Sequence, residues 1–567
     1  MKTRKKSQRR YTKADTMKQF IANLKAHGDS IAYRYYTDVT CRRIADISYS
    51  ELADGVVACA AALEDMGLTG GRIAIIAETS VSWITAYLGA TSGGSVAIPI
   101  DRELPFEEIL GFLAQSHADA VVYGRSFDDR FDAVIGTLPT VRYFFPVNPN
   151  CPSVGREGVV AFSALLDCGR THTDYHLPDT DPDTLAEMLF TSGTTGTSKC
   201  VMLCRRNILA AVNSACESVE FFPEDTIVSV LPIHHTYELC CMLAALNYGM
   251  TIGINDSVRH ALRSFANFRP TGLILVPLFL ETMYKKIWDE ARKKKATGKL
   301  RFALGLSRFL RVFGIDARRK LFSSVLSAFG GRLERIVCGG APLDPKIAAG
   351  FDDFGITVME GYGITECSPL IAVNPYFALK RGSVGPAVPC CDVRIDDAAP
   401  GEHGFPEGEI TVRGDNVMLG YCNNEEENAR AFTPDGRYRT GDIGYMDKDG
   451  YIFITGRKKS VIVLENGKNV FPEEIEEYLT RVTGVLESVV VGRKADESNH
   501  ITLTAVIVPD PAVFPDPLSP DTEKALHDAV QALNKKLVAF KQIRAVEIRP
   551  EPFEKTTSKK IKRHLVH

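Results

Sequence analysis

The apolar positions of this chain fall into alternating helix-like and strand-like runs. From Ser48 onward, Leu52, Val56, Val57, Ala60 and Leu63 recur at helical spacing, Ser48 and Glu51 make a capping pair, and Gly67 marks the stop. Directly after it, Arg72 to Ala77 (RIAIIA) is apolar after its first residue and has the length of a strand. Val96 to Ile100 and Ala120 to Tyr123 repeat the pattern, with helix-like stretches between them, and so do Thr226 to Leu231, Leu273 to Val276 and Arg335 to Cys338. Strands that are apolar throughout and spaced by helices predict parallel sheets buried on both faces. The expected fold class is therefore α/β, with two lobes of mostly parallel sheet in a large region spanning residues 31–456. Beyond Gly456 the texture changes to shorter strands (Ser488 to Val491, Thr502 to Val508) and a helix expected over Thr522 to Phe540. Residues 457–567 read as a small, separate α+β domain, and residues 1–30 as a basic tail with a first helix.

Composition narrows the class. A length of 567 residues calls for two to four structural units, and 45% hydrophobic with 24% charged residues is typical of globular proteins in water. A formal charge of −3 gives no overall bias toward nucleic acid, and nowhere do some eighteen apolar residues run together as a membrane span requires. Fourteen scattered cysteines without a CxxC pairing read as reduced and structural, so a cytoplasmic location is expected. One segment stands apart: between Lys285 and Lys320, basic residues such as Lys293, Lys294, Lys295, Lys299 and Arg301 interleave with Phe302, Leu306, Phe309 and Phe313. It reads either as a packed surface helix with a solvated basic face, the preferred reading, or as an amphipathic helix on the inner face of an anionic membrane.

The candidate chemistry starts at Leu189 to Lys199, LFTSGTTGTSK. A cluster of hydroxyls and glycines is either a flexible linker or a phosphate cradle, in which glycines let N–H groups approach an anion and a lysine adds charge. It is not a Walker A loop, because Gly193 and Gly196 lack the required spacing. It follows a strand-like Glu187 to Phe190, the place where ligands gather in open α/β sheets. Downstream come CGGAP (Cys338 to Pro342), EGYGITE (Glu360 to Glu366), GEITVRGDNVMLGY (Gly408 to Tyr421), YRTGDIG (Tyr438 to Gly444), GRKKSVIVLENGKNVFPEEIE (Gly456 to Glu476) and KTTSKKIKR (Lys555 to Arg563). In order and spacing these resemble the signature motifs of the adenylate-forming superfamily, which includes acyl-CoA synthetases, luciferases and the adenylation domains of peptide synthetases. The resemblance runs from about Ser30 to the C-terminus.

The resemblance implies a site. Thr191, Ser192, Gly193, Thr194, Thr195, Gly196 and Lys199 would hold the β and γ phosphates of ATP; Thr365 and Glu366 would contact the α-phosphate, with Glu366 on Mg²⁺. Gly339, Gly340 and Ala341, with Glu360, Gly361, Tyr362 and Gly363, would lie along adenine and the acyl group, Tyr362 stacking on the base. Asp442 would accept both ribose hydroxyls, Arg457 would approach the same ribose, and Lys459 matches the hinge before a small domain that rotates between two half-reactions. His235, within LPIHHTYELCCML, would position the substrate carboxylate. Lys560 would bridge that carboxylate and the α-phosphate, although Lys559 stands where the family usually has glycine.

The implied reaction is activation of a carboxylic acid by ATP to an acyl-adenylate. The long basic insert is most like the long-chain fatty acyl-CoA synthetase branch, which makes a fatty acid and CoA the expected substrates. Two alternatives stand beside it: transfer to the phosphopantetheine arm of a separate acyl carrier protein, and a catalytically silent binding protein of the same fold.

Overall fold

The computed structural model describes residues 11–38, 40, 43–191, 198–401, 403–464, 469–494, 501–555 and 561–566. Among the described residues two compact units stand out, one made of 11–191, 199–392 and 412–430, the other chiefly of 393–411 and 431–566.

The first unit is built on two sheets. Its first sheet holds β1 (Arg72–Ile76), β2 (Val96–Pro99), β3 (Ala120–Tyr123), β4 (Tyr143–Pro146), β5 (Leu185–Thr191) and β6 (Lys199–Cys204). β2, β1, β3 and β4 are parallel neighbours and β5 joins β2 in parallel, while β6 turns back antiparallel. The expected helix over the Ser48 pattern forms as α1 (Tyr49–Asp65), with a complete capping box between Ser48 and Glu51. Leu52, Val56, Ala60 and Leu63 of its apolar stripe are buried, and it packs against the helix Val81–Ser92, which lies on β1 and β2.

The second sheet holds β7 (Thr226–Ser229), β8 (Thr251–Ile254), β9 (Gly272–Leu275), β10 (Arg335–Cys338), β11 (Thr357–Gly363) and β12 (Leu370–Val373). Strands run parallel in the order β11, β10, β9, β7, β8, closed at one edge by antiparallel β12 and at the other by the hairpin of Ile31–Tyr36 and Ile44–Ser48. The strands predicted at Ala120 to Tyr123 and Arg335 to Cys338 form with those bounds. α2 (Arg205–Ser218) leaves β6 through Arg205, whose guanidinium is buried and donates to the carbonyls of Thr91, Ser95 and Leu185 at 2.9–3.0 Å and to Thr184 Oγ1 at 2.6 Å. A buried guanidinium is tolerated because its donors are met, here by oxygens from several segments of the first sheet. β13 (Gly420–Tyr421) adds to the outer edge of β6, antiparallel, so a segment more than 200 residues downstream sits beside Lys199.

In the second unit Cys391–Pro400, Pro406–Gly414, Tyr438–Met446 and Tyr451–Arg457 belong to one sheet, and Val485–Lys494, Ile501–Pro509 and Ala545–Ile548 to another. The pair predicted as short strands is a long antiparallel hairpin of ten and nine residues. The helix predicted over Thr522 to Phe540 is Pro520–Asn534 and stops early. Asn534 fixes the end: its side-chain oxygen accepts from Ile543 N at 2.9 Å and its amide donates to Ile543 O at 2.8 Å, tying the helix end to the segment that leads into the strand Ala545–Ile548. Leu537 continues the apolar spacing and packs in the same core from irregular backbone.

The basic insert is two helices, α3 (Pro277–Lys293) and α4 (Thr297–Val312), followed by a short turn of helix at Arg318–Leu321. Arg308 is bonded to Asp353 and Arg311 to Asp352, so the basic residues partly face the protein. No helix among the described residues is long and apolar enough to cross a membrane.

Candidate functional site

Several motifs meet at the carboxyl ends of the second sheet. β10 ends at Cys338, and Gly339 and Gly340 follow it; β11 ends in Gly361, Tyr362 and Gly363. Gly340 has φ +85°, a left-handed conformation that favours glycine. A Cβ on Gly339 would lie 3.2 Å from the Gly361 carbonyl and 3.3 Å from the Tyr237 ring, and one on Gly363 would overlap the Pro369 carbonyl. Close approach of backbone to backbone therefore demands glycine at 363, the left-handed φ favours it at 340, and at 339 the fit is tight.

They open onto an apolar cavity whose empty space, its open mouth included, is about 820 Å³. One wall is the helix that follows LPIHH, Thr236–Tyr248, which contributes Tyr237, Cys240, Cys241, Ala244 and Tyr248. Ile274, Val337, Leu370 and Val373 supply the sheet side. The lining continues to Ile227 and Met250, at the amino ends of β7 and β8, so the cavity traverses the width of the sheet, about 13 Å for four residues. Tyr362 is a wall residue of this cavity and is itself buried. The Tyr237 hydroxyl lies 3.3 Å from the Leu275 carbonyl and 3.1 Å from that of Val337, fastening the helix across β9 and β10.

Beside Tyr237, Glu238 is fully buried; its Oε1 accepts from Ser229 Oγ at 2.5 Å, and burial pushes its carboxyl up to about 8. The folded chain thus keeps a proton that the unfolded chain releases near 4.5, and stability falls by about 1.4 kcal/mol per pH unit as pH rises from about 4.5 to about 8. Glu238→Gln cannot ionise. It is expected to melt above the parent at pH 8.5 and close to it at pH 5, and parallel melting curves at every pH would contradict the assignment. Glu187, also buried and held up at about 8, would supply the slope that remains.

A second cluster forms around Glu366, in the short turn Thr365–Cys367 after β11. Glu366 Oε1 accepts from the Tyr421 hydroxyl at 2.8 Å, and its carbonyl accepts from Met418 N at 2.9 Å. Lys199, at the start of β6, pairs with Glu427 and lies 4.9 Å from the Tyr421 ring centroid. Thr191 Oγ1 reaches the Lys199 carbonyl at 3.4 Å. Lys199, Thr191 and Glu366 are thus brought together through Tyr421. That residue closes the GEITVRGDNVMLGY stretch but carries no signal of its own in the sequence, because only the long-range pairing of β13 with β6 puts it there.

His235 caps the helix behind the cavity and lies against His234, ring centroids 4.3 Å apart. His234 Nε2 is 3.5 Å from Asp101 Oδ2, at the carboxyl end of β2. The sequence reading missed this pair: nothing in the sequence links two residues so far apart. Glu360 pairs with Cys338 in the β10–β11 register, and Ala341 is exposed just past the glycines.

In the second unit, Asp442 and Arg457 sit opposite each other on antiparallel strands, with Arg457 Nε 3.0 Å from Asp442 Oδ1. Lys459 lies in the turn Lys458–Ser460, next to Lys458, whose Nζ is 2.7 Å from Glu409 Oε2. Ser192, Gly193, Thr194, Thr195, Gly196, Lys559 and Lys560 lie outside the described residues.

The AMP-binding enzyme family matches residues 20–422, and the AMP-binding enzyme C-terminal domain matches residues 459–567. Over 502 residues the chain is 30% identical to "Long-chain-fatty-acid--CoA ligase FadD15" of Mycobacterium bovis, covering 84% of this chain and 78% of that protein. It is 27% identical over 549 residues to "Long-chain-fatty-acid--CoA ligase 5" of Rattus norvegicus, covering 89% and 80%. Among solved structures, ATP-bound MatB from Rhodopseudomonas palustris is similar with TM-score 0.74 at 25% identity, over 97% of this chain and 98% of that one. The adenylation domain of a carboxylate reductase from Mycobacterium chelonae shares the fold with TM-score 0.78 at 20% identity, over 97% and 89%. With both family models matched in order over most of its length, the chain is a member of the AMP-binding enzyme family.

Proposed function

We propose that this protein is an ATP-dependent ligase that joins a long-chain fatty acid to CoA through an acyl-adenylate. The observation that carries the substrate class is the cavity, apolar along its length and as deep as the sheet, reaching from the family's glycine motifs to Phe221, Tyr248 and Met250. A hydrocarbon chain gains most from such a site, about 0.8 kcal/mol for each methylene buried. The relatives named as long-chain-fatty-acid--CoA ligases support the same choice.

In the first half-reaction a carboxylate oxygen bonds to the α-phosphorus of ATP and the bond to pyrophosphate breaks. In the second, the CoA sulfur bonds to the acyl carbon and AMP leaves. Thr191, Lys199 and the segment between them are assigned to the outer phosphates, where their donors meet the charge that grows on pyrophosphate. Thr365 contacts the α-phosphate. Glu366 is assigned to Mg²⁺, and its setting fits: a hydroxyl fixes one carboxylate oxygen, and the carboxylate can offer its other oxygen to a hard cation. The cation would neutralise charge on the phosphates. Gly339, Gly340 and Ala341 with Glu360, Gly361, Tyr362 and Gly363 take adenine and the acyl head, and Asp442 and Arg457 the ribose. His235 positions the carboxylate, Lys560 bridges it to the α-phosphate, and Lys459 is the hinge of a small domain spanning 457–567.

The test is AMP release with ATP and Mg²⁺ across acids from acetate to oleate, with and without CoA, products identified by mass spectrometry. Acyl-CoA formed with long acids and not with acetate is expected. Acyl-adenylate that CoA leaves untouched would instead point to a carrier-protein acceptor, and no AMP with any acid would overturn the ligase reading.

A further inference from the structure

α4 is apolar on both sides. Leu300, Ala303, Leu304 and Leu310 turn inward and are half-buried, and Ser307 is buried. On the opposite side Phe302, Leu306, Phe309 and Phe313 repeat at i, i+4, i+7 and i+11, with Val312 beside them, so they share one face. That face looks outward: Phe302 is 73% exposed, Phe309 61%, Val312 81% and Phe313 65%. Four large apolar side chains in a ridge are not the scattered surface hydrophobics of an ordinary globular protein.

Charge identifies what covers the ridge. Arg308, Arg311 and Arg318 are engaged by Asp352, Asp353 and Asp316 on the protein side. Lys294, Lys295, Lys299 and Arg301, at and just before the start of α4, are exposed and make no ion pair among the described residues. A two-fold contact with a second copy through this ridge would bring these like charges together. An anionic surface with an apolar interior matches both features at once.

We propose that α4 is a peripheral membrane anchor, its Phe302–Phe309–Phe313 ridge entering the interface of a bilayer rich in anionic lipid while Lys294, Lys295, Lys299 and Arg301 meet the headgroup phosphates. The inference rests on the surface of α4 and not on the substrate reading. It would hold for any acid the enzyme activates.

The test is flotation of the full chain with phosphatidylcholine vesicles and with vesicles that also contain phosphatidylglycerol, without ATP, acid or CoA. Binding to the anionic vesicles is expected, weakened at high salt. The triple variant Phe302→Ser, Phe309→Ser, Phe313→Ser should bind at least tenfold more weakly, since it loses the apolar contact. Lys294→Glu, Lys295→Glu, Lys299→Glu should lose on the order of 100-fold and with it the salt dependence. Because the replaced side chains are exposed, the variants should melt with the parent and keep its AMP release with a long-chain acid presented in detergent solution, without vesicles. A parent that stays with the soluble fraction would overturn the proposal, as would vesicle binding that the serine variant retains in full. A concentration-dependent dimer that the serine variant dissolves, with no vesicle binding, would assign the ridge to a second copy instead.

Discussion

Replacing Glu366 by glutamine is expected to lower acyl-adenylate formation by on the order of 100- to 1,000-fold, the range seen when one group that stabilises transition-state charge is removed. Glutamine keeps an oxygen that can accept from Tyr421, so the turn at Thr365–Cys367 should remain in place and the chain should melt with the parent. What disappears is the negative charge offered to Mg²⁺, so half-saturation by Mg²⁺ should move to higher concentration. Tyr421→Phe separates orientation from charge: it keeps the carboxylate and removes its anchor, and a smaller loss, about tenfold, is expected. Steady-state AMP release titrated with Mg²⁺ reads all three. A glutamine variant that turns over at the parent's rate would remove Glu366 from the reacting centre.

Lys560→Ala is expected to cost at least as much, about 1,000-fold in the first half-reaction, while transfer from preformed acyl-adenylate to CoA changes by no more than a few-fold. Within the motif, the described residues that flank 556–560 are held: Lys555 and Ile561 form an antiparallel bridge, Lys555 pairs with Glu487, and Ile561 packs on Val489, Val506, Val508 and Phe553. Anchored flanks allow a side chain to be presented at low entropic cost. Lys559→Ala serves as the control of register, and it should leave both half-reactions nearly intact. If Lys559→Ala abolished adenylation and Lys560→Ala did not, the catalytic lysine would be the one standing at the glycine position.

The parallel strands were legible because burial on both faces forces an uninterrupted apolar run, and no other element of four to six residues demands it. Ala120 to Tyr123 is such a case. The helix ending at Asn534 was not legible, because Leu537 keeps the helical spacing after the backbone has left the helix, and the stop is a side chain bonded to the backbone of Ile543, nine residues on. The basic insert was read as one amphipathic segment with its charges outward; part of its charge turns inward and part of its apolar surface turns outward, which spacing alone does not reveal. At the site, motifs marked Lys199, Glu366 and Gly339 because their roles need particular residue types. Tyr421, Glu427 and the His234–Asp101 contact were missed because they are products of strand pairing and sheet order rather than of local pattern.

The seat of Lys199 has a bearing on selectivity among anions. The ammonium is engaged by Glu427, a carboxylate on the short helix Glu425–Ala431, and shielded by the Tyr421 ring. An anion approaching Lys199 must therefore exchange with a resident ligand, and the exchange favours a species with several charged oxygens over one with few. Acetate or chloride would exchange one charged contact for another and gain little by it. Under the assignment of Lys199 to the outer phosphates, a polyphosphate would displace the carboxylate and its departure would let Glu427 return, so that the lysine need not be resolvated on its own.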